Sequence, residues 1–171
     1  MIVSNTTPIS NLLHINKISL LAELFDVVYI PKAVANEVNV TFSESGKWRA
    51  SLEEYRIIVQ PILNTILVKQ MVPLLHQGEA EAICLAIEKQ AKLCLIDDKD
   101  GRIIAQSNNL PITGTLGILL KAKKNGLIST VKPLIDELRT EHKGLGNNKL
   151  PHLACLLARL RRCVNGLIQP V

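Results

Sequence analysis

The chain has 171 residues and a formal charge of +5, with a pI near 9.1; 47% of it is hydrophobic and only 3% aromatic. That length suits one domain that buries its own core without disulfide or metal staples. So few rings (Phe25, Tyr29, Phe42, Trp48 and Tyr55) argue against a base-stacking platform, while the positive balance suits a phosphate-rich partner as readily as it suits a merely soluble basic protein.

Residues 1–3 form a short apolar strand that runs into Ser4-Asn5-Thr6-Thr7-Pro8, small polar residues before a proline and so the chemistry of a strand-to-helix turn. Leu13, Leu20, Leu21 and Leu24 recur at helical spacing and predict a helix over 10–24, broken at Asp26. A second strand follows over 27–30, and Pro31 then opens a helix in which Val34 and Val38 share a face. Residues 39–52 are polar and predict loop with a short helix; 57–59 is a third strand, and 68–75 carries no clear pattern. A helix over 79–90 has Ile83, Ala86 and Ile87 along one side. Residues 93–96 are a fourth strand ending in Asp97-Asp98, and a helix runs through 103–107. Residues 110–113 are a last strand before a helix over 116–125, which Gly126 closes. Strands and helices alternating through short turns imply right-handed crossovers and a largely parallel sheet covered on both faces. Ligands are then expected outside the carboxyl ends of the strands.

Cysteines at 84, 94, 155 and 163 make no CxxC pair and fit no zinc-ribbon or disulfide spacing. Cys84 and Cys94 lie in apolar runs and read as buried, reduced thiols. With no signal segment and no membrane-length apolar run, the expectation is a cytoplasmic protein without a membrane partner. No Gly-rich phosphate loop is present, no Ser/His/Asp or Cys/His arrangement stands out, and His76 reads as a residue of the loop before a helix.

What remains are acids at separated places, each beside a short strand or at a helix start. Carboxylates gathered from distant segments in this way are suited to holding a hard divalent cation over a phosphate. At the first such place the residue is Asn5, which offers one neutral carbonyl oxygen to an ion or serves as a turn residue capping the next helix; Thr7 suits either job. Glu37 borders the buried side of its helix, where a carboxylate is paired, hydrogen-bonded, metal-bound or snorkelling to water. Glu79 shares a face with Ile83 and Ala86 and points inward, although an acid in a first turn also suits the helix dipole. Glu81 and Glu88, seven apart, share a face toward solvent. Asp97 and Asp98 follow a strand and face opposite ways, so one joins a shared site while the other, or Asp100, caps the helix that follows.

The ordered series Ile2-Val3-Ser4-Asn5-Thr6-Thr7-Pro8, Tyr29-Ile30-Pro31-Lys32-Ala33-Val34 with Glu37, Gly78-Glu79-Ala80-Glu81-Ala82-Ile83, Leu95-Ile96-Asp97-Asp98 and Gly114-Thr115-Leu116-Gly117 closely resembles the PIN-domain family. It is most similar to a prokaryotic branch of VapC-type ribonuclease toxins, over residues 1 to about 139. The resemblance implies an α/β fold, a three-layer α/β/α sandwich around a mostly parallel sheet. It also implies acids that hold Mg2+ or Mn2+ and cut RNA. By position, Glu37, Glu79 and Asp98 fall on the catalytic acids and, with Asn5, on the metal ligands; Thr7, Asp97 and Glu81 stand as supporting residues. A cognate antitoxin protein and a homodimer are the implied partners besides RNA.

Two features depart from that pattern. Asn5 removes a negative charge, which loosens an ion and admits a second reading: a weak or inactive PIN fold that binds RNA or protein. A third reading, a flavodoxin-like module, uses Asp97 or Asp98 as phosphoacceptor. Beyond a PIN-like domain over 1–143, residues 144–171 are a divergent tail with an expected Leu-rich basic helix over 152–163. Lys121, Lys123 and Lys124 suit either an RNA backbone or a solvated helix face.

Overall fold

The computed structural model describes residues 1–42 and 52–144, so the tail helix expected over 152–163 and most of the polar stretch before residue 52 lie outside the described residues. Five strands, β1 (Ile2–Ser4), β2 (Val28–Ile30), β3 (Ile57–Val59), β4 (Leu93–Leu95) and β5 (Ile112–Thr113), form one sheet in the order β3-β2-β1-β4-β5. Every pairing is parallel, with Val3 opposite Tyr29 on one side and Cys94 on the other. Parallel strands must be joined by crossovers, and the helices that make them cover both faces, giving the expected α/β/α sandwich.

Helix α1 (Thr6–His14) follows β1, and α2 (Leu20–Phe25) follows after a break. The helix expected over 10–24 is therefore two, because Asn16 takes the left-handed backbone (φ +50°) that asparagine tolerates better than most residues. Helix α3 (Lys32–Phe42) buries Val34 and Val38 as their spacing predicts. The unpatterned region holds α4 (Thr65–Met71), started by the Asn64 side chain, which accepts from the Leu67 amide at 3.0 Å. Next come α5 (Gln77–Glu88), α6 (Lys99–Ser107) and α7 (Thr115–Lys124). Helix α8 (Lys132–Gly144) was not anticipated; Pro133 sits in its first turn, and Ile135 and Leu138, three apart, are buried.

Helix α5 packs against α3, α4 and α6 over β1 and β4, and α2 packs against α7. The core between the layers is aliphatic, as so few rings require: Ile9, Leu12, Leu21, Ile30, Ile83, Leu85, Leu95, Ile96, Ile118 and Leu119 are fully buried. Cys84 and Cys94 are buried and unbridged, and burial pushes both thiols up to about 12, so neither is a nucleophile. No helix among the described residues is long and apolar enough to cross a membrane.

The sheet order places the functional region. The chain adds β2 and β3 on one side of β1, then β4 and β5 on the other, so the connections diverge between β1 and β4. A crevice opens at such a switch point, outside the carboxyl ends of the strands. Asn5 leaves β1 there, its amide bonded to the Leu95 carbonyl at 3.0 Å, and Asp97-Asp98 leave β4 beside it.

Candidate functional site

A pocket of about 300 Å³ lies at this end of the sheet, lined by Leu74, Leu75, His76, Glu79, Asp98 and Asp100 among others. Glu79 enters from the first turn of α5, where one carboxylate oxygen reaches back to the His76 amide at 3.2 Å. Burial pushes its pKa up, and the Asp98 charge adds to the rise; the His76 amide and side chain oppose it, and Glu37 adds a smaller repulsion. Charges from two other elements, Asp98 and Glu37, thus both bear on Glu79.

Asp98 faces the same pocket from the turn after β4. Its Oδ2 accepts the amides of Asp100 at 2.7 Å and Gly101 at 2.9 Å, so it is itself the N-cap of α6. Asp98 is therefore both the cap and a pocket residue, whereas the sequence assigned those two jobs to different residues. Glu37, half-buried on α3, accepts the Thr6 hydroxyl on one oxygen and the Gly78 amide, 3.0 Å away, on the other. These bonds span 31 and 41 residues of chain and pin α3 to the starts of α1 and α5.

The remaining candidates stand elsewhere. Asp97 turns into the protein, only 8% exposed, and accepts the Thr115 amide at 2.8 Å, the Thr115 hydroxyl at 2.5 Å and the Asn11 amide nitrogen at 3.2 Å. Burial raises its pKa against the lowering effect of those donors. Glu81 accepts the Ala33 amide at 3.0 Å, so the acid expected to face solvent instead caps the start of α3 from a neighbouring helix. Glu88 does the same before α4, accepting the Leu63 and Asn64 amides. Glu81→Ala is expected to cost about 1 kcal/mol, as for other lost helix caps, read from the urea midpoint.

Asn5 is fully buried at the N-cap position of α1, yet its side chain makes no capping bond. Both amide atoms are buried without a partner among the described residues. Orphaned groups of this kind cost about 1–3 kcal/mol each unless water or an ion takes them. The neighbouring hydroxyl that reaches an acid of the group is that of Thr6, one residue before the Thr7 picked out from the sequence. His76, read from the sequence only as a residue of the loop before the helix, is the N-cap of α5 and lines the pocket; its position three residues before Glu79 is the signal that finds it.

The donor set suits a hard divalent ion: carboxylate oxygens whose mutual repulsion a cation would relieve. Among the described residues, no three His, Cys, Asp or Glu side chains stand as a formed ligand set. Oxygens of Glu37, Glu79 and Asp98 are each bonded to protein donors. Magnesium binds through one or two carboxylates and keeps several waters, and Glu79 and Asp98 are two of the carboxylates that line the pocket.

The family model DUF3368, described as a PIN domain, matches residues 1–148. No curated protein and no solved structure matches the chain. A PIN domain suggests nuclease activity and RNA binding, and such domains generally use divalent metal ions.

Proposed function

Because this chain belongs to the PIN-domain family, we propose that it is a metal-dependent endoribonuclease, the VapC-like toxin of a toxin–antitoxin pair acting in the cytoplasm. The observation that supports this reading most is the pairing of Glu79 and Asp98 in one pocket at the switch point of the sheet, with the Glu37 charge within reach. Glu79 and Asp98 would hold Mg2+ or Mn2+, with Glu37 and the neutral Asn5 around them. The ion would polarise a phosphoryl oxygen and lower the pKa of water.

The chain's own residues supply binding and placement. Repulsion among the acids would be relieved by a cation, and the bound cation would in turn attract an RNA phosphate to the pocket. The Thr6 hydroxyl and the Gly78 amide hold Glu37 in place. Lys123 and Lys124 are exposed in the last turn of α7, at the end of that helix away from the pocket, and Lys121 lies 4.5 Å over the Phe25 ring. An antitoxin would silence the site by covering it, and a second copy of the chain is a further partner.

One observation favours a second reading. Asn5 brings no charge, and the ligand set is not formed beforehand, as suits an inactive PIN fold that binds RNA or protein. A labelled RNA pool incubated with Mg2+ or Mn2+ separates the two. The nuclease reading expects Asp98→Asn to lose about a hundredfold or more in cleavage, and Asn5→Asp to cut as well as wild type or better. Cutting that persists in the Asp98 variant removes Asp98 from the site. Retention of RNA without cutting, in either metal, supports the binding module.

A further inference from the structure

Asp97 takes no part in the reaction proposed above, yet three elements converge on it. Asn11 comes from α1, which starts directly after Asn5; Thr115 is the first residue of α7; and Asp97 itself precedes the turn that carries Asp98. Thr115 is gripped twice, by its amide to Oδ1 at 2.8 Å and its hydroxyl to Oδ2 at 2.5 Å. Asn11 closes the set by donating to the Thr115 hydroxyl as well, at 3.1 Å. All three residues are buried, Asn11 at 7% and Thr115 at 0% exposure.

The backbone is shaped around this carboxylate. A Cβ on Gly114 would lie 2.3 Å from Asp97 Oδ1 and 3.1 Å from the Ile96 carbonyl, so position 114 has room for Asp97 only as glycine. On the other side of the same turn, Arg102 of α6 donates to the Ile96 carbonyl at 2.8 Å. The segment Ile96-Asp97 is thus held from α1, α6 and α7, and the next residue is the one that lines the acidic pocket. Neighbouring side chains of extended backbone point opposite ways, so locking Asp97 inward sets the direction of Asp98 outward.

We propose that Asp97, Thr115 and Asn11 are positioning residues that set the angle at which Asp98 enters the acidic pocket. This rests on the reading of Asp98 as a metal-holding acid. Partners that orient ligating carboxylates matter about 10–100-fold in metal affinity when removed.

The test compares Thr115→Val, which removes the hydroxyl at nearly equal volume, with Thr115→Ser, which keeps it. Amide exchange at Asp100 and Gly101 reports the Asp98 cap directly, since both amides donate to Asp98 Oδ2. Mn2+ affinity, read by electron paramagnetic resonance, reports the consequence. Thr115→Val is expected to speed exchange at Asp100 and Gly101 about tenfold, with the Asn5 amide between β1 and β4 unchanged, and to weaken Mn2+ binding about tenfold. Thr115→Ser should track wild type in both. Asn11→Leu takes the same readouts should the valine variant fail to fold. Wild-type protection at Asp100 and Gly101 in the folded valine or leucine variant overturns the proposal, even if its melting temperature falls. A wild-type protein that binds no Mn2+, with local exchange still accelerated in the variant, overturns the nuclease reading and leaves the positioning of Asp98 standing.

Discussion

Glu79→Gln should melt about 2–4 °C above wild type at neutral pH while losing about a hundredfold or more in RNA cleavage. Burial and the Asp98 and Glu37 charges make an ionised Glu79 costly in the folded chain, so its folded pKa stands above the ordinary carboxylate value of 4.5. The folded state therefore holds this proton more tightly than the unfolded state does. Stability contributed by Glu79 is complete below its unfolded pKa and is lost as pH rises through the folded one. Glutamine keeps the acceptor for the His76 amide, carries no charge, and removes that downward slope. A melting series from acid to neutral pH reads the difference, which should vanish at the acid end. Mn2+ should raise the wild-type midpoint more than that of the variant, since a ligand stabilises only the state that binds it. A destabilised Gln variant at neutral pH would show that Glu79 is satisfied by a partner in the protein, and the case for a strained acidic pocket would fall.

Gly78→Ala makes the complementary case, a change that should spare the fold and damage the site. A Cβ at position 78 would come within 2.6 Å of both Glu37 carboxylate oxygens. The obstacle is the end of a flexible side chain, so Glu37 can swing away at small cost. Alanine in place of glycine also favours a helix by about 0.5–1 kcal/mol. The expected result is a melting temperature within about 3 °C of wild type, with cleavage reduced roughly tenfold to a hundredfold because Glu37 loses its seat between Thr6 and the Gly78 amide. Unchanged cleavage would remove Glu37 from the working set. A large drop in melting temperature would instead make the Glu37–Gly78 contact structural.

The family resemblance and the architecture were legible from short-range patterns. Alternating strands and helices implied the parallel sheet, and the spacing of Val34 with Val38 identified the buried face of α3. Helix α5, by contrast, is buried nearly all round over Ala82 to Ala86, beyond the Ile83 and Ala86 side that its period marked. Failures came where one residue's conformation or one distant partner decided the outcome. Asn16 broke an apparently continuous helix through its positive φ, and Asn64 started a helix where no apolar period was visible. Glu81 and Glu88 looked solvent-facing because helical geometry alone puts them on one face; their partners, Ala33 and the Leu63-Asn64 pair, arrive from other segments.

By itself the sequence determined the order of the five strands, the aliphatic core and the set of acids near strand ends and helix starts, because periodicity and turn chemistry act over a few residues. Tertiary structure alone decided what each acid touches: Glu79 and Asp98 share a pocket, Glu37 is clasped by Thr6 and Gly78, and Asp97 is buried under Thr115 and Asn11. Those partners lie 18 to 86 residues away along the chain. A carboxylate must find donors wherever burial strips away its water, and which donors are in range depends on how whole elements pack.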